Sequence, residues 1–200
     1  MRDKAAAHRR CSNHEVVRAN GRPLFLKLMA NFSISLRRRF IKGNNQALIA
    51  ARHSVRKFED TPVRREVLDT LVEDASLAPS AKNTKSTGFM IIQDASLLEA
   101  ISHMRDFGSA FVAGAKAAIV VLGDPAKTDA WVENASISAT YLMLSATDRG
   151  LGSCWVQVRD RFQDKNAPEK GTAEDYLREL LGIREDLKVL CVIALGYPQK

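Results

Sequence analysis

Cysteine is scarce in this chain, with three in 200 residues: Cys11, Cys154 and Cys191. The number is odd and no CxxC or Cys/His ligand spacing occurs, which argues against a disulfide framework and against a zinc site. Such usage fits a reducing compartment, and a cytoplasmic location is expected. Long apolar runs are missing as well. Nothing approaches the roughly 18 consecutive apolar residues of a spanning helix. The stretch Leu24–Ala30 is short and interrupted by Lys27, so neither a membrane span nor a secretory signal is expected.

The usual catalytic constellations are also lacking. His8, His14, His53 and His103 form no HExxH or HxH pair, and there is no GxSxG elbow, Walker A sequence or GxGxxG. Gly108 and Gly114 stand too far apart for a dinucleotide fingerprint. No side chain is therefore assigned a catalytic role and no metal site is expected. An enzyme built on this sequence has to borrow its chemistry from a cofactor.

What is present describes an ordinary soluble domain. Hydrophobic residues make up 46% and charged residues 26%, which disfavours disorder, fibres and membrane spans alike. The formal charge of +7 is unevenly spread. Residues 1–42 hold eleven of the 30 Lys/Arg and two of the 23 Asp/Glu, leaving 19 basic and 21 acidic residues in 43–200. The chain thus divides into a basic N-terminal extension, 1–42, and a near-neutral domain, 43–200. Three accounts of the extension stand open: a poorly ordered tail or a translation start further in, at Met29; an ordered arm that wraps a dimer; or a targeting segment.

From Asn44 onward the pattern is regular. A short helix is expected at Gln46–Ala51. Thr61 and Pro62 read as the N-cap and first position of a helix whose apolar face is Val67, Leu68, Leu71, Val72 and Ala75, ending before Pro79. Phe89–Gln93 reads as a strand. Asp94 caps a helix bearing Leu97, Leu98 and Ile101, and Ala117–Leu122 is a second strand. A long helix at about 131–149 carries Ala135, Ala139, Leu142, Met143 and Ala146 and stops at Gly150. Ser153–Val158 is a third strand, Thr172 caps a helix ending at Gly182, and Val189–Leu195 is a fourth strand. Helices interleaved with single strands imply a sheet covered by helices, with strand order and direction left open.

Three segments carry candidate chemistry. In Arg52-His53-Ser54-Val55-Arg56 the two guanidinium groups and the hydroxyl alternate, so in extended backbone they point the same way. A bidentate Arg with a hydroxyl can grip one phosphate while the second Arg reaches along the ligand; a solvated basic strand has the same spacing. Pro79-Ser80-Ala81-Lys82-Asn83 is a loop whose Asn can donate and accept at the edge of a pyrimidine-like ring, although these are also common loop formers. Gly150-Leu151-Gly152-Ser153-Cys154-Trp155-Val156-Gln157-Val158 joins helix to strand through two glycines that would let backbone N–H groups meet a planar ligand. Trp155 is able to stack on a ring or simply to pack in the core.

Taken in order, Arg52–Phe58, Pro62-Val63, Ala78-Pro79-Ser80-Ala81-x-Asn83, Gly150–Trp155 and the final Ala194-Leu195-Gly196-Tyr197-Pro198 resemble the nitroreductase family of FMN flavoproteins. The resemblance covers about 46–198. It implies an α+β fold, a mixed sheet flanked by helices, in an intertwined homodimer with FMN at the interface. It further implies that Arg52 and Ser54, with His53 between them, hold the FMN phosphate and that Arg56 approaches the N1/O2 side of the ring. Pro79, Ser80, Ala81 and Asn83 would come from the second subunit, the backbone around Val156, Gln157 and Val158 would line the flavin near N5, and Trp155 would be a further cofactor-binding residue.

The activity implied is hydride transfer from NADH or NADPH through the flavin to a nitroaromatic, quinone or similar small acceptor, in a ping-pong sequence with no nucleic-acid or membrane partner. Two departures from the family pattern stand out. Lys85-Ser86-Thr87 replaces a glutamine, proline and tryptophan common among relatives, and the chain lacks their basic tail, for which Lys200 or part of the extension is a candidate substitute. The competing readings are a non-catalytic flavin-binding protein and a nucleic-acid- or membrane-binding protein that uses the basic arm.

Overall fold

The structure, a computed structural model, describes residues 17–18 and 45–199. Its elements in chain order are β1 (Val17–Arg18), α1 (Asn45–Ala51), α2 (Arg65–Ser76), β2 (Thr87–Ile92), α3 (Ala95–Ser102), β3 (Ala117–Gly123), α4 (Trp131–Asp148), β4 (Gly152–Gln157), α5 (Ala173–Leu181) and β5 (Lys188–Gly196). Of the basic extension only β1 is described, paired antiparallel with β2; the rest of 1–42, and Lys200, lie outside the described residues. Among the described residues no helix is long and apolar enough to cross a membrane.

Helix ends follow local chemistry. The Asp94 carboxylate accepts from the backbone N–H groups of Ser96 and Leu97, and Thr172 and Asp175 form a reciprocal capping box ahead of α5, which ends on left-handed Gly182. Beyond α4, Gly150 takes a φ of +73° and Leu151 N–H turns back to the Ala146 carbonyl at 2.9 Å. The expected Thr61 cap is not used. Helix α2 begins at Arg65 with no side-chain cap, because Val63 is plugged into the core at 1% exposure and its carbonyl accepts from Gln93 Nε2 at 2.8 Å. Both tie Val63 down, and Arg64 after it stays in extended backbone.

The sheet runs β1-β2-β3-β5-β4. Every ladder is antiparallel, and an isolated parallel bridge joins Ser54 to Ser153. Its two faces are separate cores. One face, with Phe89, Ile119, Val121 and Ile193, is covered by Leu68, Leu71 and Val72 of α2 and Ala135, Ala139 and Leu142 of α4. The other, with Met90, Val120, Val156 and Val192, is covered by Leu98 and Ile101 of α3 and by Leu177 and Leu181 of α5. This is the α+β architecture expected. Each fully buried Leu or Ile contributes about 1.5–3 kcal/mol, so the sheet is a rigid platform. Helices α2 and α4 are also clasped by polar groups: Ser145 donates to Asp74 at 2.5 Å, and Arg149 pairs with the same carboxylate at 3.0 Å.

Candidate functional site

Between α1 and α2 the chain forms a strap across one end of the sheet. Val55 N–H donates to the Ser153 carbonyl at 3.0 Å, Glu59 N–H to Tyr197 at 2.8 Å, and Gln199 N–H returns to Lys57 at 3.1 Å. Val55 and Phe58 turn inward into the core. Each meets a glycine. A Cβ on Gly152 would stand 2.7 Å from Val55 Cβ, and one on Gly196 would stand 2.8 Å from the Phe58 ring. The two glycines face each other across β4 and β5, so together they form a notch that seats the strap. The sequence reading gave Gly152 to the approach of a ligand; the structure gives that space to Val55.

With Val55 seated, Arg52, Ser54 and Arg56 are left on the rim, Arg52 half-buried and the other two exposed. The Cys154 thiol is pushed up by burial, while Arg56, the Ser54 hydroxyl and Arg52 pull it down. Arg56 also lies over the Phe111 ring at 5.7 Å from its centroid. Among the described residues neither Arg52 nor Arg56 pairs with a carboxylate. At the foot of the strap the Ser153 hydroxyl is buried with no hydrogen-bond partner among the described residues. Two unneutralised guanidinium groups and a hydroxyl at one spot suit a phosphate.

His53 faces elsewhere. Its Nδ1 is 2.9 Å from the Ala51 carbonyl, and its ring lines a cavity of about 150 Å³ with Ala51, Val55, Thr147 and Leu151. That is roughly half the smallest usual cofactor pocket, about 300 Å³.

Strand β4 is an edge strand, and among the described residues only the bridge at Ser54 covers its outer side. Since the Ser153 carbonyl points outward to Val55, the antiparallel alternation turns the backbone groups of Trp155 and Gln157 outward too. The Gln157 carbonyl accepts from Arg105 at 3.2 Å. The Trp155 indole is half-buried against the α2/α4 core and donates to Gln157 Oε1 at 2.9 Å, while Gln157 Nε2 donates to the Arg159 carbonyl at 2.9 Å. Val156 and Val158 are core residues. Of this segment, then, the backbone edge is available to a ligand, and the side chains are largely engaged with the protein.

The second segment lies between α2 and β2. Pro79 and Asn83 are exposed, Ser80 and Ala81 half-buried. Lys82, Asn83 and Lys85 all have left-handed backbone, with φ of 50°, 54° and 48°, a conformation that costs a non-glycine residue about 1 kcal/mol or more. Ser80 Oγ accepts from Lys85 N–H at 3.1 Å, and Lys85 Nζ reaches the Ala78 carbonyl at 3.0 Å. A residue missed by sequence reasoning anchors this loop. Asn134 of α4, 2% exposed, accepts from Ala81 N–H at 2.8 Å and donates to Ser86 Oγ at 2.9 Å. Its signal was an amide next to the apolar stripe that starts at Ala135.

The sequence profile of the Nitroreductase family matches the chain over residues 49–105 and 98–197. The chain belongs to the nitroreductase family. A relative from Archaeoglobus fulgidus named "Putative NADH dehydrogenase/NAD(P)H nitroreductase" is 35% identical over 156 residues, 76% of this chain and 84% of that protein. One of the same name from Methanothermobacter thermautotrophicus is 31% identical over 156 residues, 75% of each. Among solved structures, an FMN-dependent nitroreductase from Clostridium difficile R20291 matches with a TM-score of 0.72 at 39% identity, over 76% of this chain and 87% of the other.

Within one chain the strap and the loop are far apart. The loop enters β2 at Thr87, in the row that runs through Gly123 to Lys188. The strap meets Ser153, which is paired with Leu195 at the other end of β5. Three strand spacings, about 14 Å, separate them across the sheet, and about 20 Å along it. One chain holds them at diagonally opposite corners. The departure at Lys85 is structural, since its ammonium group covers carbonyls at the end of α2.

Proposed function

We propose that this nitroreductase is an FMN-dependent oxidoreductase that uses NADH or NADPH to reduce a nitroaromatic, quinone or similar small acceptor, working as a homodimer in the cytoplasm. The observation that carries the reading is the placement of Arg52, Ser54 and Arg56 on one strap at the start of the open β4 edge, where among the described residues neither guanidinium is paired with a carboxylate. Arg52 and Ser54 hold the phosphate, with His53 contributing backbone alone. The outward amides of Trp155 and Gln157 and the chain on to Val158 line the ring. When bound, FMN would supply the redox chemistry that links nicotinamide to acceptor in a ping-pong cycle. Arg56, held over Phe111, would approach the N1/O2 side of the ring and stabilise negative charge there.

The diagonal placement supports the homodimer. A single flavin touches both a strap and a loop only when the partner subunit's Pro79, Ser80, Ala81 and Asn83 meet this chain's Arg52 and Arg56. Apolar side chains left exposed on α1 and α4, Ile49, Ile137 and Tyr141, give the second subunit a surface to cover. Residues 43–200 form the flavin-binding domain in this reading, with 1–42 as an appendage.

The test is reconstitution with FMN followed by anaerobic titration with each nicotinamide, then reoxidation against a panel of acceptors. A yellow protein bleached by NADH or NADPH and recoloured by a quinone or nitroaromatic is the expected result. A chain that stays colourless after incubation with FMN defeats the proposal, and bound flavin that neither nicotinamide reduces reassigns the chain as a flavin carrier.

A further inference from the structure

Asn134 is buried and polar on a helix that also buries Ser138 and Ser145, which bond to the side chains of Thr87 and Asp74 respectively. It reaches three groups about fifty residues away in sequence: Ala81 N–H at 2.8 Å, Ser86 Oγ at 2.9 Å and Thr84 Oγ1 at 3.4 Å. Those contacts bracket Lys82, Asn83 and Lys85, the left-handed residues of the loop. Left-handed backbone at consecutive non-glycine positions persists only where the surroundings over-determine it. The loop's own bonds, Asn83 N–H to Ser80 and Thr84 N–H to Ala81, close it on itself without fixing it to the domain. Asn134 supplies a fixed point, because α4 is packed along its length on the sheet.

We propose that Asn134 is the positioning residue of the flavin-contacting loop: by holding Ala81 and Ser86 it sets the turn that presents Pro79–Asn83 to FMN, without touching the cofactor itself. This rests on the reading of that loop as part of the FMN site. A carboxamide is suited to the task, since it accepts from a backbone N–H on one side and donates to a hydroxyl on the other. A carboxylate can replace it if the Ser86 and Thr84 hydroxyls turn round to donate, whereas an apolar side chain of similar size satisfies neither.

The experiment compares FMN dissociation constants and the visible circular dichroism of bound flavin in full-length wild type, Asn134→Leu and Asn134→Asp, with apoprotein melting temperatures alongside. Asn134→Leu is expected to weaken FMN binding about tenfold or more and to alter the flavin signal, and Asn134→Asp to restore both to within about threefold. Should the leucine variant fail to fold, Ser86→Ala, which removes one anchor, is expected to weaken binding by a smaller factor. Wild-type affinity and an unchanged flavin signal in Asn134→Leu, or in Ser86→Ala where that stands in, overturn the inference even if the melting temperature falls, because stability is then all that Asn134 supplies. A folded Asn134→Asp that binds no better than the leucine variant overturns it too. A wild-type protein that takes up no FMN removes the reading of the site itself, and this inference with it.

Discussion

The strap over β4 and the loop before β2 both carry polar side chains to the rim of the sheet, but one is seated by apolar fit and the other by buried hydrogen bonds. In the strap, Val55 and Phe58 drop into spaces that Gly152 and Gly196 leave open, and their burial is worth about 1.5–3 kcal/mol apiece. Packing of this kind makes no demand on neighbouring polar groups, so Arg52, Ser54 and Arg56 are positioned while, among the described residues, neither guanidinium is paired with a carboxylate. The loop has little apolar anchorage. Directional bonds from Asn134, together with those of Lys85 to the Ser76 and Ala78 carbonyls, tie down a backbone with three left-handed residues. Placement and binding are thus separable in the strap and fused in the loop.

The most damaging way to break this contrast is to fill the notch. Gly152→Val is expected to cost about 3 kcal/mol by overpacking, lowering the melting temperature by roughly 6 °C or more and releasing FMN on gel filtration. A variant as stable and as yellow as wild type would mean that the notch does not place the strap. Arg52→Ala should do the opposite, weakening FMN binding by about tenfold to a hundredfold, equivalent to 1.5–3 kcal/mol, at a nearly unchanged apoprotein melting temperature. If the melting temperature falls while affinity holds, Arg52 is a structural residue.

Asp175→Ala, in the capping box remote from both regions, serves as the reference. About 1 kcal/mol of stability should be lost with FMN affinity intact. The Thr172 bonds hold the Asp175 carboxyl below its ordinary value, so its contribution is complete above the unfolded value of about 3.9. It disappears as pH falls through the lower folded value. The gap in melting temperature between wild type and variant should therefore be constant from neutrality down to about pH 4 and close below it. Smallest of all is Lys82→Gly, which removes a Cβ from left-handed backbone and should gain up to about 1 kcal/mol in chemical denaturation. A loss would assign the Lys82 side chain a part in holding the loop.

Much of this was legible in the chain. Asp94 and Thr172 announced their helices, and apolar periodicity located α4 and the main strands to within a residue or two and the face of α2, though not its start, because caps and burial patterns are local. The alternation of Arg52, Ser54 and Arg56 predicted a shared direction; Val55 between them is seated inward and the three flank it on the strap. What escaped depended on contacts distant in sequence. Val63 delays α2 because the core accepts its side chain, a fact invisible at Thr61 and Pro62. Gly152 read as a place for a ligand because nothing nearby named Val55 as its occupant. Asn134 looked like one polar residue among several on a long helix, since its partners lie about fifty residues earlier. Strand order, and with it the diagonal separation of strap and loop, is a property of the assembled sheet.

The outer side of β4 has a last consequence. From Trp155 onward its outward backbone groups meet no neighbouring strand among the described residues, and such a row of amides and carbonyls is a template for another chain's backbone. A cofactor lying along that row would shield it as a neighbouring strand shields an interior one. Loss of the cofactor would then be a loss of solubility as well as of colour, and cofactor supply during synthesis would decide how much of the protein stays dispersed.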